Sequence, residues 1–225
     1  MLVRILMSSG EICPNCAAEQ PAGSKYCYRC GAPVEGEVAS KPVKKMSKSE
    51  VENVLHWREE KDQAFKGHFA SPIPENMRGQ FTGLNYYPVN PSYRFLCKLN
   101  KYPNPASVMM MTSTGEEREY LKVGHFSFII GGKTHTLHAY KDLRQAPSEK
   151  ESLFIPFRDG TSGIETYDAS RYLEVEETNE GEFQVDFNKA YNPFCAYVDT
   201  YSCPLPPREN WLEVEIKAGE KKYRE

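Results

Sequence analysis

The run Phe126-Ser-Phe-Ile-Ile130, Gly131-Gly132, Lys133-Thr-His-Thr-Leu137 sets two aromatic and β-branched segments on either side of a glycine pair. A two-residue turn with positive φ at both positions suits glycine, so the run reads as a β-hairpin. Pairing Ile130 with Lys133 places Phe128 opposite His135, Phe126 opposite Leu137 and His125 opposite His138. One face is then apolar, and the other carries Ser127, Thr136 and the two histidines.

Outward from this hairpin, short apolar runs separated by turn residues continue in both directions. Strands are expected at 93–99, 108–112, 119–123, 125–130, 133–140, 153–157, 171–176, 182–187 and 211–216. Few of the intervening segments could be helical, so the body is expected to be mainly β, an antiparallel sandwich or barrel-like structure. Ahead of it, Ser49 and Glu52 have the spacing of a capping box, and Val51, Val54, Trp57 and Phe65 share a helical stripe. A helix over about 50–66 follows, with Trp57 as its anchor. His56 and His68 read as surface histidines.

The 225 residues, 40% hydrophobic and with 14 tyrosines, suffice for one substantial domain and a small appendage. A net charge of −3 gives no global attraction to nucleic acid or to an anionic membrane. Met1 to Met7 is too short for a membrane span and lacks a cleavage signal, and Met7 is an alternative start. Seven cysteines in a chain without an export signal imply a reducing, cytoplasmic setting, where ligation or burial is a commoner fate than a disulfide.

Four of those cysteines stand as two knuckles, Cys13-Pro-Asn-Cys16 and Cys27-Tyr-Arg-Cys30, ten residues apart. Each knuckle aims two thiolates at one point, and together they satisfy a closed tetrahedral zinc site with no position left for substrate. Residues 10–33 are therefore expected to be a structural zinc ribbon. They resemble the short zinc ribbons found at the ends of many prokaryotic proteins, and the resemblance implies a docking or structural piece, with a protein a commoner partner than nucleic acid. Residues 34–48, rich in Pro, Gly, Lys and Glu, read as a flexible basic linker, and 49–225 as the β-rich domain.

The densest polar chemistry lies in the C-terminal half. The loop around Arg158, Asp159, Thr161 and Ser162, with two glycines, could aim amides and hydroxyls at an anion. The same residues could equally close a turn and pair Arg158 or Arg171 with a carboxylate, while Tyr167 packs. Further on, Asp186-Phe-Asn-Lys-Ala-Tyr-Asn-Pro-Phe-Cys-Ala-Tyr197 gathers Asp186, Asn188, Tyr191, Asn192 and Cys195 into a dozen residues. Burying so many polar groups requires that they satisfy one another or a ligand. Its prolines, with Pro204 to Pro207, suggest a rigid loop crossing the body. Cys97, Cys195 and Cys203 read as buried thiols, the last two with the option of acting as ligands or nucleophile.

The run from Asp186 to Trp211, together with Asp159-Gly-Thr-Ser-Gly-Ile-Glu-Thr-Tyr167, Arg171-Tyr-Leu173 and Ala218-Gly-Glu-Lys221, resembles the family known as domain of unknown function 1684. The resemblance covers most of residues 50–225, not the ribbon, and departs from the family at Ser170, where glycine is usual. It implies no activity. Three functions remain open on the residues themselves. The first is a module whose polar pocket holds a small polar or anionic ligand. The second is a hydrolase using an Asp, a hairpin His and optionally a metal on His125 and His138. The third is a nucleic-acid-associated factor touching phosphate through ribbon and linker.

Overall fold

The computed structural model describes residues 11–13, 18–21, 24, 26–29, 39–144, 152–178 and 181–223. The chain forms two compact units, residues 1–38 and 39–225. In the first, β1 (Glu11–Ile12) pairs antiparallel with β2 (Glu19–Gln20). Cys16 and Cys30 lie outside the described residues.

In the second unit, α1 (Lys48–Gly67) precedes a short α2 (Glu75–Arg78) and β3 (Arg94–Cys97). Five strands follow: β4 (Asn100–Met111), β5 (Glu117–Ile130), β6 (Lys133–Asp142), β7 (Ser152–Phe157) and β8 (Arg171–Glu176). They form one antiparallel meander in the order β4-β5-β6-β7-β8, and β9 (Phe183–Asp186) pairs antiparallel with β3 in a second small sheet. The fold is mainly β, as expected, but the described strands do not close into a barrel. Among the described residues no helix is long and apolar enough to cross a membrane.

The β5–β6 hairpin has the expected register, with Ile130 opposite Lys133, Phe126 opposite Leu137 and His125 opposite His138. The two expected strands 119–123 and 125–130 are one strand with a bulge between Lys122 and Gly124. A Cβ on Gly124 would stand 2.5 Å from the Asn100 carbonyl oxygen, so glycine is what lets β4 approach there. The bulge exchanges the faces of β5: Leu121 packs on the core before it, the bulged Val123 at it, Phe126 and Phe128 after it, and Tyr120 is left on the opposite side.

The core lies between the two sheets. Leu137 and Ala139 from β6, Leu153, Ile155 and Phe157 from β7, and Leu173 and Val175 from β8 meet Phe95, Val185 and Phe187. Its aromatic centre has Phe128 5.1 Å from Phe95 and 5.4 Å from Phe187, ring to ring. Residues 39–43, read from composition as tether, are paired to this body. Ser40 bridges Phe128 and Pro42 bridges Phe95, so the segment runs between β5 and β3.

Helix α1 starts two residues earlier than its sequence pattern suggests. The capping box is Ser47 with Glu50, and Glu50 also accepts from Arg94 at 2.6 Å. Its buried stripe is Val54, Arg58 and Phe65, with Lys61 between, and Trp57 is only half-buried. Two cations on a docking face must find acceptors. Arg58 donates to the Tyr87 and Asn188 carbonyls at 2.8 and 2.9 Å, and Lys61 meets the fully buried Glu220 at 3.1 Å. Apolar periodicity cannot see such an anchor.

Residues 211–216 were expected to be a strand and are not one. Their backbone runs beside 158–160 through single contacts, Leu212 N–H to the Arg158 carbonyl and Gly160 N–H to the Val214 carbonyl. Beyond them a continuous ladder is pre-empted, because Ile216 N–H donates to the Asp159 side chain and the Ile216 carbonyl accepts from Arg171.

Candidate functional site

The polar residues singled out in the sequence fall into separate clusters. On β8 the inward positions alternate Arg171, Leu173, Val175, so a guanidinium enters the core, only 1% exposed. It donates to Asp159 at 3.1 Å and to the carbonyls of Ile216, Ala218 and Glu220. Asp159 also accepts from the Thr161 amide and hydroxyl, from Ser162 Oγ and from the Ile216 amide. The loop that could have cradled an anion is thus closed around its own carboxylate. Arg158 lies outside this knot and stacks on Trp211, 4.5 Å from the ring centre.

Asp186 caps the turn that follows β9, accepting from the Asn188 amide and side chain, and Asn188 ties down residue Asn90 through both its backbone groups. Burial raises the Asp186 carboxyl. Asn192 donates its backbone N–H to Glu220 and its side chain to the Lys221 carbonyl, and Tyr197 donates to Glu220 at 2.9 Å. Apart from Asn192 Oδ1, which has no hydrogen-bond partner, the side-chain groups named here bond to one another or to backbone.

His125 and His138 face each other as the register requires, with ring centres 5.7 Å apart, and both are buried. His138 Nδ1 meets the Tyr102 hydroxyl at 2.6 Å rather than a carboxylate. Among the described residues no group of three or more His, Cys, Asp or Glu side chains is placed to hold a metal. Neither the acid–base nor the metal role considered for this pair gains support from its surroundings. Burial, assisted by nearby Lys122, depresses the His138 imidazole to about 3, although Glu209 opposes the shift.

The opposite face of the five-stranded sheet holds a different feature. There Tyr120 of β5, Phe154 of β7 and Tyr172 of β8 turn away from the core, and the loop 191–204 crosses over them. The loop is fastened to β8 by reciprocal backbone bonds between Tyr172 and Tyr191, and to the end of β4 by Leu205 N–H on the Met111 carbonyl and Ser113 N–H on the Cys203 carbonyl. Its prolines suggest an extended loop, but Pro193 instead caps a 3-10 turn at Phe194–Ala196, so the chain folds between its two fastenings. Between loop and sheet lies a cavity of about 320 Å³.

Its walls are aromatic: Phe154 stands 4.8 Å from Tyr172 and 5.7 Å from Tyr120, Tyr172 stands 5.7 Å from Tyr191, and Phe194 packs 5.2 Å from Tyr201. Charged groups border it as pairs. Arg144 is held by Asp142 at 2.5 and 2.9 Å, Arg118 lies 3.6 Å from Glu116, and Glu174 accepts from the Tyr191 hydroxyl. Of the polar residues and thiols singled out from the sequence, Tyr191 and Cys203 are on this wall, and Cys195 stands close behind it. Sequence reading missed Tyr120, Phe154, Tyr172, Arg118 and Arg144. The signal was the unbroken apolar run Leu153 to Phe157, in which both strand faces are covered.

Cys203 is on the cavity wall. Its sulfur accepts the Cys195 amide at 3.4 Å, and Tyr167 donates its hydroxyl to Cys195 Sγ at 3.7 Å. A hydrogen bond from the Cys203 thiol, aided by Tyr167 and Ser113, lowers the Cys195 thiol, while the same bond raises that of Cys203.

In the N-terminal unit, Cys13 and Cys27 are buried at 1% and 3% exposure. Arg29 N–H points at Cys27 Sγ over 3.3 Å, and Cys13 N–H closes a turn on the Ala18 carbonyl.

Residues 79–221 match the model of a family described as "Protein of unknown function (DUF1684)". The match begins after α1 and covers most of 50–225, as the resemblance implies. The chain is also similar to an uncharacterized protein of Haloarcula marismortui solved by NMR in solution, at 42% identity and a TM-score of 0.59 over 76% of this chain and 92% of that one. No curated protein matches.

The buried neutral His138 gives a pH signature. Below the ordinary imidazole value of about 6.5 the unfolded chain takes up a proton that the folded chain refuses until about 3. Stability from this group therefore declines as pH falls through that window, by at most about 1.4 kcal/mol per pH unit. Urea unfolding of wild type and His138→Gln between pH 7 and pH 4 is expected to show a shallower decline in the variant; parallel profiles would contradict the assignment.

Proposed function

The chain belongs to the DUF1684 family, and from that premise we propose that its β body is a binding module whose ligand occupies the aromatic cavity under the loop 191–204. The observation that carries this reading is the composition of the walls. Six aromatic side chains, Tyr120, Phe154, Tyr172, Tyr191, Phe194 and Tyr201, line the cavity, Tyr120 and Phe154 stacked and the others edge to face, and two arginines border it with their carboxylates. A small ligand with a planar apolar part and an anionic or polar group matches both. Arg144 and Arg118 would turn from their carboxylate partners toward that group, an exchange of one charge-assisted bond for another. In this reading the polar residues Asp159, Arg171, Asp186, Asn188 and Asn192 shape the scaffold beneath the loop, and Tyr191 contributes to the ligand surface.

For the N-terminal unit we infer a structural zinc held by Cys13, Cys16, Cys27 and Cys30. Support comes from the burial of Cys13 and Cys27 and from the amide aimed at Cys27, the arrangement that steadies a metal-bound thiolate. The parts of Cys16 and Cys30 rest on spacing. Zinc would cross-link a segment too short to bury a core, leaving the ribbon to dock on a protein partner. A reducing, cytoplasmic setting suits such a thiolate set.

Titration of the full-length protein with the aromatic anion 8-anilinonaphthalene-1-sulfonate tests the cavity. Saturable fluorescence is expected, weakened roughly tenfold by Phe194→Ala and by Arg144→Ala. The highly exposed Phe69, at 88%, lies away from the cavity, and Phe69→Ala is expected to change nothing. Loss of binding through Phe69→Ala, or no saturation, would refute the reading. Elemental analysis addresses the ribbon: about one zinc per chain is expected, falling to none in a Cys13→Ser/Cys27→Ser variant. Zinc retained by that variant would place the metal elsewhere.

A further inference from the structure

A thiol pair on the wall of a cavity needs a reason, because a buried, apolar pair would serve packing as well as alanine or valine. Three contacts separate this pair from that ordinary role. The Cys203 sulfur lies on the cavity surface. The Cys195 amide donates to it at 3.4 Å, so one cysteine sits over the backbone of the other. The Tyr167 hydroxyl donates to Cys195, and Ser113 Oγ receives the Cys203 amide at 3.1 Å, which fixes both ends of the pair. Cys97 provides the contrast. It is buried in the core between the sheets, where burial pushes its thiol up to about 11.

We infer that Cys195 and Cys203 form a reactive dithiol opening on the aromatic cavity, a modification site that a peroxide entering the cavity converts to a disulfide. The chemistry needs one of the two neighbouring thiols ionised, since the thiolate is the nucleophile. The thiolate of the pair attacks the distal oxygen of the peroxide; the O–O bond breaks, and the departing alkoxide leaves as the alcohol after taking a proton from solvent. The attacking sulfur becomes a sulfenic acid. The second thiol, on the neighbouring cysteine, then displaces its oxygen: the S–S bond forms, the S–O bond breaks, and water leaves with the thiol proton. Two thiols and one peroxide yield one disulfide, one alcohol and one water. The Cys203 sulfur already stands 3.4 Å from the Cys195 amide nitrogen, and side-chain rotation must bring the two sulfurs to the ~2.05 Å of the bond.

Closure would tie Cys195 to Cys203 within the loop that roofs the cavity, so the oxidised and reduced proteins would present different ligand surfaces. The inference rests on the cavity reading only for access by a bulky oxidant. Cumene hydroperoxide, an aromatic peroxide, and hydrogen peroxide, which needs no aromatic pocket, are therefore the two probes. The tryptic peptide from Ala190 to Arg208 carries both thiols and no other cysteine, so closure appears as the loss of two hydrogens and of two alkylation sites.

Full-length protein treated with substoichiometric peroxide is expected to close this disulfide at least about tenfold faster than Cys97 is oxidised, because the thiolate is the nucleophile. Cys203→Ser is expected to leave Cys195 as a sulfenic acid that dimedone traps. Closure by both probes supports site and cavity together. Closure by hydrogen peroxide alone supports the dithiol and tells against the cavity as an aromatic ligand site. No closure with either probe, or oxidation of Cys97 at an equal rate, overturns the inference.

Discussion

A single arginine on the wrong face of a strand organises much of this domain. Alternation along β8 puts Arg171 in line with Leu173 and Val175, facing the core, and a guanidinium there must have its charge paired or the fold pays for an isolated buried charge. Asp159 supplies the opposite charge, and the carbonyls of Ile216, Ala218 and Glu220 accept from the two terminal nitrogens, while Nε has no acceptor. The C-terminal segment is irregular because its backbone groups are committed to this ion pair instead of to a neighbouring strand. Once held there, it delivers Glu220, which receives Lys61 of α1, Tyr197 and the Asn192 amide. Helix, loop and tail are thus linked through two buried charge pairs, Asp159–Arg171 and Lys61–Glu220.

That linkage explains why so many polar residues are concentrated in a stretch that does not itself form a binding surface. Asp186, Asn188 and Asn192 spend their hydrogen bonds on turns and on the tail. Their effect is to launch the loop 191–204 over the outer face of the sheet. The cavity exists because that loop, fastened at β8 and at the end of β4, spans aromatic side chains that the pleat and the β5 bulge turn away from the core.

The hairpin at Gly131-Gly132 was legible residue by residue, because a two-glycine turn fixes register and the aromatic alternation fixes the face. β8 was legible as a strand, yet Arg171 at its start gave no sign of entering the core. What periodicity could not reveal is polar burial: Arg58 and Lys61 carry the docking face of α1, while the apolar pattern pointed to Trp57. Gly124 reads as a break between strands and is instead a bulge within one. The candidate site was the least legible part. Polar density drew attention to Asp159 and Asp186, whereas the cavity is made by Tyr120, Phe154 and Tyr172, whose role depends on which strand face the loop covers. Tyr191 and Cys203, with Cys195 behind them, belonged to both descriptions.

The central claim is that Asp159 and Arg171 hold the fold and do not await a ligand. A double-mutant cycle in urea, with Asp159→Ala, Arg171→Met and the pair, tests it most directly. Each single variant is expected to lose about 3–5 kcal/mol by stranding its partner's charge, and the double variant to lose much less than their sum. Single variants as stable as wild type, with additive effects, would contradict the account and return both residues to the role of ligand contacts.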